Sequence, residues 1–228
     1  MWSPTACKNF RSKQHNSERA CTSCAVSKAV NKWTIHGLWP SNGNNTGPYQ
    51  CSGSKYEASL VNELRKELNE KWPSAMYDND SFWSHEWKKH GTCSNLKATD
   101  TVTKYFSTSL RLFDAYNLGG ILAEANILAG NNYTLDSLHG AIKRKLGVNV
   151  FVQCIRIKVG IVYQRTQVQI TRSQFSLNSQ FFQGKHEQYL SQVQLCFDKS
   201  LRLTDCDSGN GYLSSCERHY NVTYANSC

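Results

Sequence analysis

Residues 134–157, TLDSLHGAIKRKLGVNVFVQCIRI, change their period halfway along and so decide the fold class. Leu135, Leu138, Ile142 and Leu146 recur at helical spacing, and Gly147 supplies the residue type that most readily ends a helix. From Val148 to Ile157 β-branched and apolar residues take over, which predicts a buried strand. Toward the N-terminus, Lys55–Trp72 carries Leu60, Val61, Leu64 and Leu68 at helical spacing, with Pro73 as the stop. Ser81–His90 reads as another helix, and Thr101–Tyr116 as a third, with Val102, Tyr105, Phe106, Leu110 and Phe113 on one face. Lys32–His36 is a short strand candidate, and Ser41–Gly53 a loop. Toward the C-terminus, Val159–Ile170 and Gln192–Phe197 read as strands, and Arg172–Lys185 as loop. No repeat or linker divides the chain, so a single α+β domain over residues 1–228 is expected.

Composition narrows the setting. The 228 residues are 39% hydrophobic and 11% aromatic, which suits a packed core and not a disordered chain. Lysine and arginine number 26 against 17 acidic residues, a formal charge of +9 that fits a polyanionic partner. Ten scattered cysteines include one CxxC, Cys21–Cys24, with no second pair to complete a zinc site. Disulfides in an oxidising compartment are the better account. Four Asn-x-Ser/Thr sequons, at Asn44, Asn79, Asn132 and Asn221, point the same way. No apolar run approaches the roughly 18 residues of a membrane span. Nothing at the start resembles a signal peptide, so a mature or trimmed chain is expected, secreted or held in an acidic lysosome-like compartment.

Two segments concentrate the chemistry: Trp33-Thr34-Ile35-His36-Gly37-Leu38-Trp39-Pro40, and Ser81-Phe82-Trp83-Ser84-His85-Glu86-Trp87-Lys88-Lys89-His90-Gly91-Thr92-Cys93. They hold three of the seven histidines and four of the six tryptophans, and such clustering singles them out. On a helix, His85, Glu86, Lys89 and His90 fall within an arc of about 140°, with Phe82 on the same side. Zincins place their histidines four apart, whereas His85 and His90 are five apart, and no further ligand cluster compensates. No metal or cofactor is therefore expected. RNA cleavage fits the groups present. One imidazole takes the proton from the 2′-OH, a second protonates the departing 5′-oxygen, and lysine with a carboxylic group stabilises the phosphorane. Aromatic faces suit unpaired bases, and DNA lacks the attacking hydroxyl. Trp33, Trp83 and Trp87 are expected in the core, and His15, His139, His186 and His219 outside the chemistry.

The two segments, in this order and spacing, resemble the active-site segments of the ribonuclease T2 family. The resemblance is close over Trp33–Pro40 and Phe82–Cys93, and looser over Trp2–Cys7 and Thr101–Cys206. It implies an α+β fold with a central antiparallel sheet flanked by helices, and cleavage of single-stranded RNA through a 2′,3′-cyclic phosphate. By that likeness His90 would be the general base and His36 the general acid, with their roles reversed when the cyclic phosphate is hydrolysed. His85 would bind phosphate, Glu86 and Lys89 would stabilise the transition state, Trp39 and Tyr49 would line one base site, and Phe82 the other. It also implies an acidic optimum and the disulfides Cys51–Cys93, Cys196–Cys206 and Cys154–Cys228. Cys7, Cys21, Cys24 and Cys216 would form two more, in an order left open.

Two departures from the family stand out. The strand that usually precedes the Trp-x-Pro element is not present before Met1-Trp2. Between Cys154 and Cys196 lie about 40 residues, long for a connection, with Arg156, Lys158, Arg165, Arg172 and Lys185 against Glu187 alone over 155–190. This basic insertion is either an extra surface for RNA, a receptor or an anionic glycan, or a solvated excursion. A reading of another class makes the chain a secreted, toxin-like recognition glycoprotein with a vestigial site and a glycan-dependent cell-surface receptor. It expects His36 or His90 to be replaced, and neither is. A monomer is expected.

Overall fold

The computed structural model describes residues 1, 32–42, 47–74, 78–158, 186–206 and 214–226. A 3-10 helix, Ala58–Leu64, leads into α1 (Arg65–Lys71); then come α2 (Asn79–Lys89), a short 3-10 turn at Gly91–Cys93, α3 (Val102–Ala115), α4 (Leu118–Glu124), β1 (Asn131–Tyr133) and α5 (Leu135–Leu146). Strands β2 (Phe151–Lys158), β3 (His186–Gln194), β4 (Cys196–Phe197), β5 (Leu203–Thr204) and β6 (Val222–Tyr224) complete the chain.

The helices begin and end where local chemistry directs. Asp78 accepts from the Ser81 amide at the start of α2, Thr101 from Lys104 at α3, and Thr134 from Ser137 at α5. Gly147 closes α5 with φ +75°, a left-handed turn that costs glycine least. The run predicted as one helix from Lys55 is a 3-10 helix followed by a short α-helix. Val61 and Leu68 are both fully buried in either geometry, so packing holds a form that spacing alone does not distinguish. Helix α4 escaped prediction because Gly119 and Gly120 break its apolar pattern. It is capped by Asn117, whose side chain accepts from the Gly120 amide.

One sheet has the order β1-β6-β3-β2 and a second pairs β4 with β5. The contacts β1–β6 and β3–β2 are antiparallel, but β3–β6 is parallel, so the larger sheet is mixed where an antiparallel one was expected. The strand predicted at Gln192–Phe197 is divided: Gln192–Gln194 end β3, which starts earlier, at His186, along β2, and Cys196–Phe197 form β4 in the other sheet. Ile155–Lys158 and His186–Leu190, the two ends of the basic insertion, are thus arms of this ladder. Residues 159–185, with the predicted strand Val159–Ile170 and loop Arg172–Lys185, lie outside the described residues. Among the described residues Lys32–His36 contributes a single β-bridge position, Thr34, and no named strand.

Two apolar clusters result. In one, α4 and α5 pack on the larger sheet through Leu118, Leu122, Leu138, Ile142, Val152, Leu190 and Val222. The other is aromatic: Trp72, Trp83, Trp87, Tyr105 and Phe106 interlock among α1, α2 and α3. Each fully buried large side chain contributes on the order of 1.5–3 kcal/mol. Trp33 belongs to the first cluster and Ile35 to the second. His36 therefore leaves the chain where the two cores meet.

The disulfides Cys51–Cys93 and Cys196–Cys206 are formed as the resemblance implied. Cys154, however, pairs with Cys216 and not with Cys228. The reason is a backbone contact: Ser214 bridges to Val152 on β2, and the Ser215 amide donates to the Val152 carbonyl. This brings the Cys216 Cα to 4.9 Å from that of Cys154, within disulfide range. Cys7, Cys21, Cys24 and Cys228 lie outside the described residues.

Candidate active site

The first chemical segment is pinned along its length. Trp33 Nε1 donates to the Tyr224 hydroxyl (2.9 Å), the Ile35 amide to the Lys71 carbonyl (2.7 Å), and Trp72 Nε1 to the His36 carbonyl (3.0 Å). The Tyr105 hydroxyl donates to the Leu38 carbonyl (2.8 Å). Residues 33 and 35 face the cores, which leaves His36 at the rim of a cleft of about 590 Å³ lined also by Trp39, Tyr49, His90 and Gln192.

Helix α2 is set by its own N-terminus. Asp80 accepts from Tyr56 Oη (2.7 Å) and, through both oxygens, from Arg65, which also covers the Trp83 ring. Trp83 and Trp87 anchor the inner face through indole donors to the Trp72 and Ser54 carbonyls. At the other end His90 is the capping residue, and Cys93 ties the following turn to Cys51. The Gln50 amide donates to the Lys89 carbonyl, which brings Tyr49 over this end of the helix.

The predicted residues then meet. The Trp39 ring stands edge-on to His36 with centroids 4.7 Å apart and tilted to His90 at 5.3 Å. Tyr49, 56% exposed, meets His90 at 5.7 Å and holds the Lys89 ammonium 5.8 Å above its ring. Trp39 Nε1 donates to Glu86 Oε2 (2.9 Å). Gly37 makes that bond possible: a Cβ there would lie 2.1 Å from Glu86 Oε2 and 2.2 Å from Trp39 Nε1. His85 is exposed on α2, near enough to His90 for its charge to help lower that imidazole's pKa. Phe82 is 6% exposed and packs in the aromatic cluster. Gln192 has no place in either motif, yet its Oε1 accepts from His36 Nδ1 (2.8 Å). The only sequence signal for it was a strand candidate.

Burial dominates the electrostatics. It lowers His36 to about 3 against the opposing Gln192 hydrogen bond, and His90 to about 4, aided by the charge of Lys89. It pushes Glu86 up to about 7, against the Trp39 hydrogen bond and Lys89. At mildly acidic pH burial thus favours the neutral form of both imidazoles and of Glu86, which as an acid is able to donate. Among the described residues no three His, Cys, Asp or Glu side chains form a group able to hold a metal ion.

The raised Glu86 pKa has a consequence for stability. A carboxyl that binds its proton more tightly when folded stabilises the fold below its unfolded pKa, near 4.5, and that contribution is lost as pH rises through about 7. Glu86→Gln keeps an acceptor for Trp39 without the ionisation. It is therefore expected to melt higher than the parent at pH 8, with the difference shrinking toward pH 4. Equal melting shifts across that range would show that burial of the ionised carboxylate costs nothing.

The ribonuclease T2 family model matches residues 1–206. Ribonuclease Oy of Magallana gigas is 32% identical over an alignment of 203 residues that covers 86% of this chain and 84% of that protein. Among solved structures, an RNase-related protein from Calystegia sepium matches with a TM-score of 0.70 at 26% identity, covering 100% of this chain and 94% of that one. Human RNase T2 matches with a TM-score of 0.63 at 27% identity, covering 85% of each chain.

Proposed function

Because the chain belongs to the ribonuclease T2 family and is an endoribonuclease of that type, we propose that it cleaves single-stranded RNA by transphosphorylation between His90 and His36, without a metal ion. The observation that carries this reading is the meeting of His36, Trp39 and His90 in one cleft, from segments about 50 residues apart. His90, neutral above about pH 4, takes the proton from the 2′-OH. The 2′-oxygen attacks phosphorus, and the P–O5′ bond breaks as His36, protonated, gives its proton to the 5′-oxygen. A 2′,3′-cyclic phosphate forms, and reversal of the two roles with water hydrolyses it. The anionic phosphodiester favours the imidazolium of His36, which offsets the burial that lowers its pKa.

Glu86 as a neutral acid and Lys89 stabilise charge on the phosphorane oxygens, and His85, exposed on the same helix, binds phosphate. Trp39 and Tyr49 offer their rings to a base on the His90 side. Phe82, buried beneath, shapes the second base site from behind. One catalytic domain over 1–228 includes the basic insertion, whose Arg156 pairs with Glu217.

An oxidising, extracellular or lysosome-like setting is supported by the three disulfides among the described residues. Asn132 and Asn221 are exposed and suited to carry glycans. Asn79 is half-buried, its amide donating to Asn69 and its carbonyl accepting from the Ser74 amide. Asn44 lies outside the described residues. Among the described residues no helix is long and apolar enough to cross a membrane.

The test is cleavage of a single-stranded RNA oligonucleotide with EDTA present, alongside the same oligonucleotide with one 2′-deoxy residue. The expected result is a 2′,3′-cyclic phosphate product at undiminished rate in EDTA, with cleavage blocked on the 3′ side of the deoxy residue. Loss of activity in EDTA, or cleavage at the deoxy position, would overturn the reading.

A further inference from the structure

Strands β2 and β3 pair in register through Phe151–Gln194, Val152–Val193 and Gln153–Gln192, and then the register shifts so that Cys154 faces Leu190. Ser191 is the extra residue, and its hydroxyl donates to the Gln153 carbonyl (3.0 Å). The bulge inverts the alternation of side chains. Leu190 and Val193, three apart, both enter the core with Val152, and Cys154 packs against it. In an unbroken strand Gln192 would share the core face of Leu190. With the bulge, Gln192 and its partner Gln153 turn to the opposite face, where the cleft lies.

There Gln192 is 6% exposed and bonded at both ends of its amide. Its Nε2 donates to Gln153 Oε1, so its oxygen is the atom left to meet His36. An amide oxygen accepts only, so His36 carries its proton on Nδ1 and turns Nε2 toward the cleft. The partner is neutral, so it orients the ring without trapping the proton the ring has to give away.

We infer that Gln192, aimed by the Ser191 bulge and braced by Gln153, is a positioning residue that fixes the tautomer and direction of His36; this rests on the ribonuclease reading of His36. The charged and titratable groups that act on that imidazole are Lys89 of α2, His90 at its C-cap and the amino group of Met1, common to every variant below.

Two readouts test the inference. The first is the ¹⁵N shift of His36 in the folded protein without RNA. The Nδ1–H tautomer is expected in the parent, and a mixture in Gln192→Leu. This measurement does not depend on catalysis, so it fails separately from the ribonuclease reading. The second is kinetics. Gln192→Leu is expected to lower kcat about 10- to 100-fold with KM within about twofold. Gln192→Glu should restore much of kcat and move the alkaline limb of its pH profile upward, because a carboxylate stabilises the imidazolium. If Gln192→Leu does not fold, Gln153→Leu, which keeps the His36 contact but frees the amide, should show a smaller loss in kcat. An Nε2–H tautomer in the parent, or kcat of Gln192→Leu within about twofold of the parent, would overturn the inference.

Discussion

His36→Phe and His90→Phe should each lower kcat on single-stranded RNA by at least about 10³-fold while leaving the fold intact. A phenyl ring keeps the volume of each site, so the aromatic contacts with Trp39 survive in both variants. What disappears is proton transfer, to which each imidazole is worth about 10²- to 10⁴-fold. Because the two act on one concerted displacement, the double variant should be little worse than either single one. Circular dichroism and melting temperature provide the control. Singles that lose less than about tenfold would mean that another group in the cleft moves the protons.

The second large effect comes from a residue with no chemistry of its own. Gly37→Ala should reduce kcat about 100-fold. A methyl group there would overlap Glu86 Oε2 and Trp39 Nε1, both within 2.2 Å. Neither can yield cheaply: Glu86 is 2% exposed, and the Trp39 ring lies against both imidazoles. The substitution therefore breaks the bond that fixes the carboxyl and moves the indole that touches both histidines. Thermal stability should change far less than rate, since neither core cluster includes Gly37. An alanine variant with parental kcat would show that the Trp39–Glu86 bond is dispensable in turnover.

Much of this was legible from residues alone, for identifiable reasons. Helices α3 and α5 follow from apolar spacing, because each buries one stripe against a core. His36, Glu86, Lys89 and His90 stood out because their residue types cluster beside tryptophans in two short segments. The arc argument brought His85, Glu86, Lys89 and His90 to one side of α2, with the two histidines at opposite edges, but did not say which edge is buried; the fold leaves His85 exposed while burying Glu86 and His90. Phe82 shared that arc and proved to be core, because the aromatic cluster extends beneath the cleft. The partner of Cys154 was out of reach of sequence, since a backbone bridge between Ser214 and Val152 selects Cys216. Gln192 was equally hidden. Its importance arises from a bulge, and the broken alternation it leaves, with Leu190 and Val193 three apart, does not say which residue is extra or what lies opposite Gln192.

The division of labour between the two histidines is tested most directly by changing the leaving group. The measurement is kcat of the parent, His36→Phe and His90→Phe on a ribonucleoside 3′-(aryl phosphate), whose phenolate departs without a proton, compared with a dinucleotide. His36→Phe should recover most of its lost rate on the aryl substrate, because only the general acid has become unnecessary, while His90→Phe should stay inactive on both. Recovery by His90→Phe instead, or an equal deficit of His36→Phe on the two substrates, would contradict the assignment of His90 as base and His36 as acid.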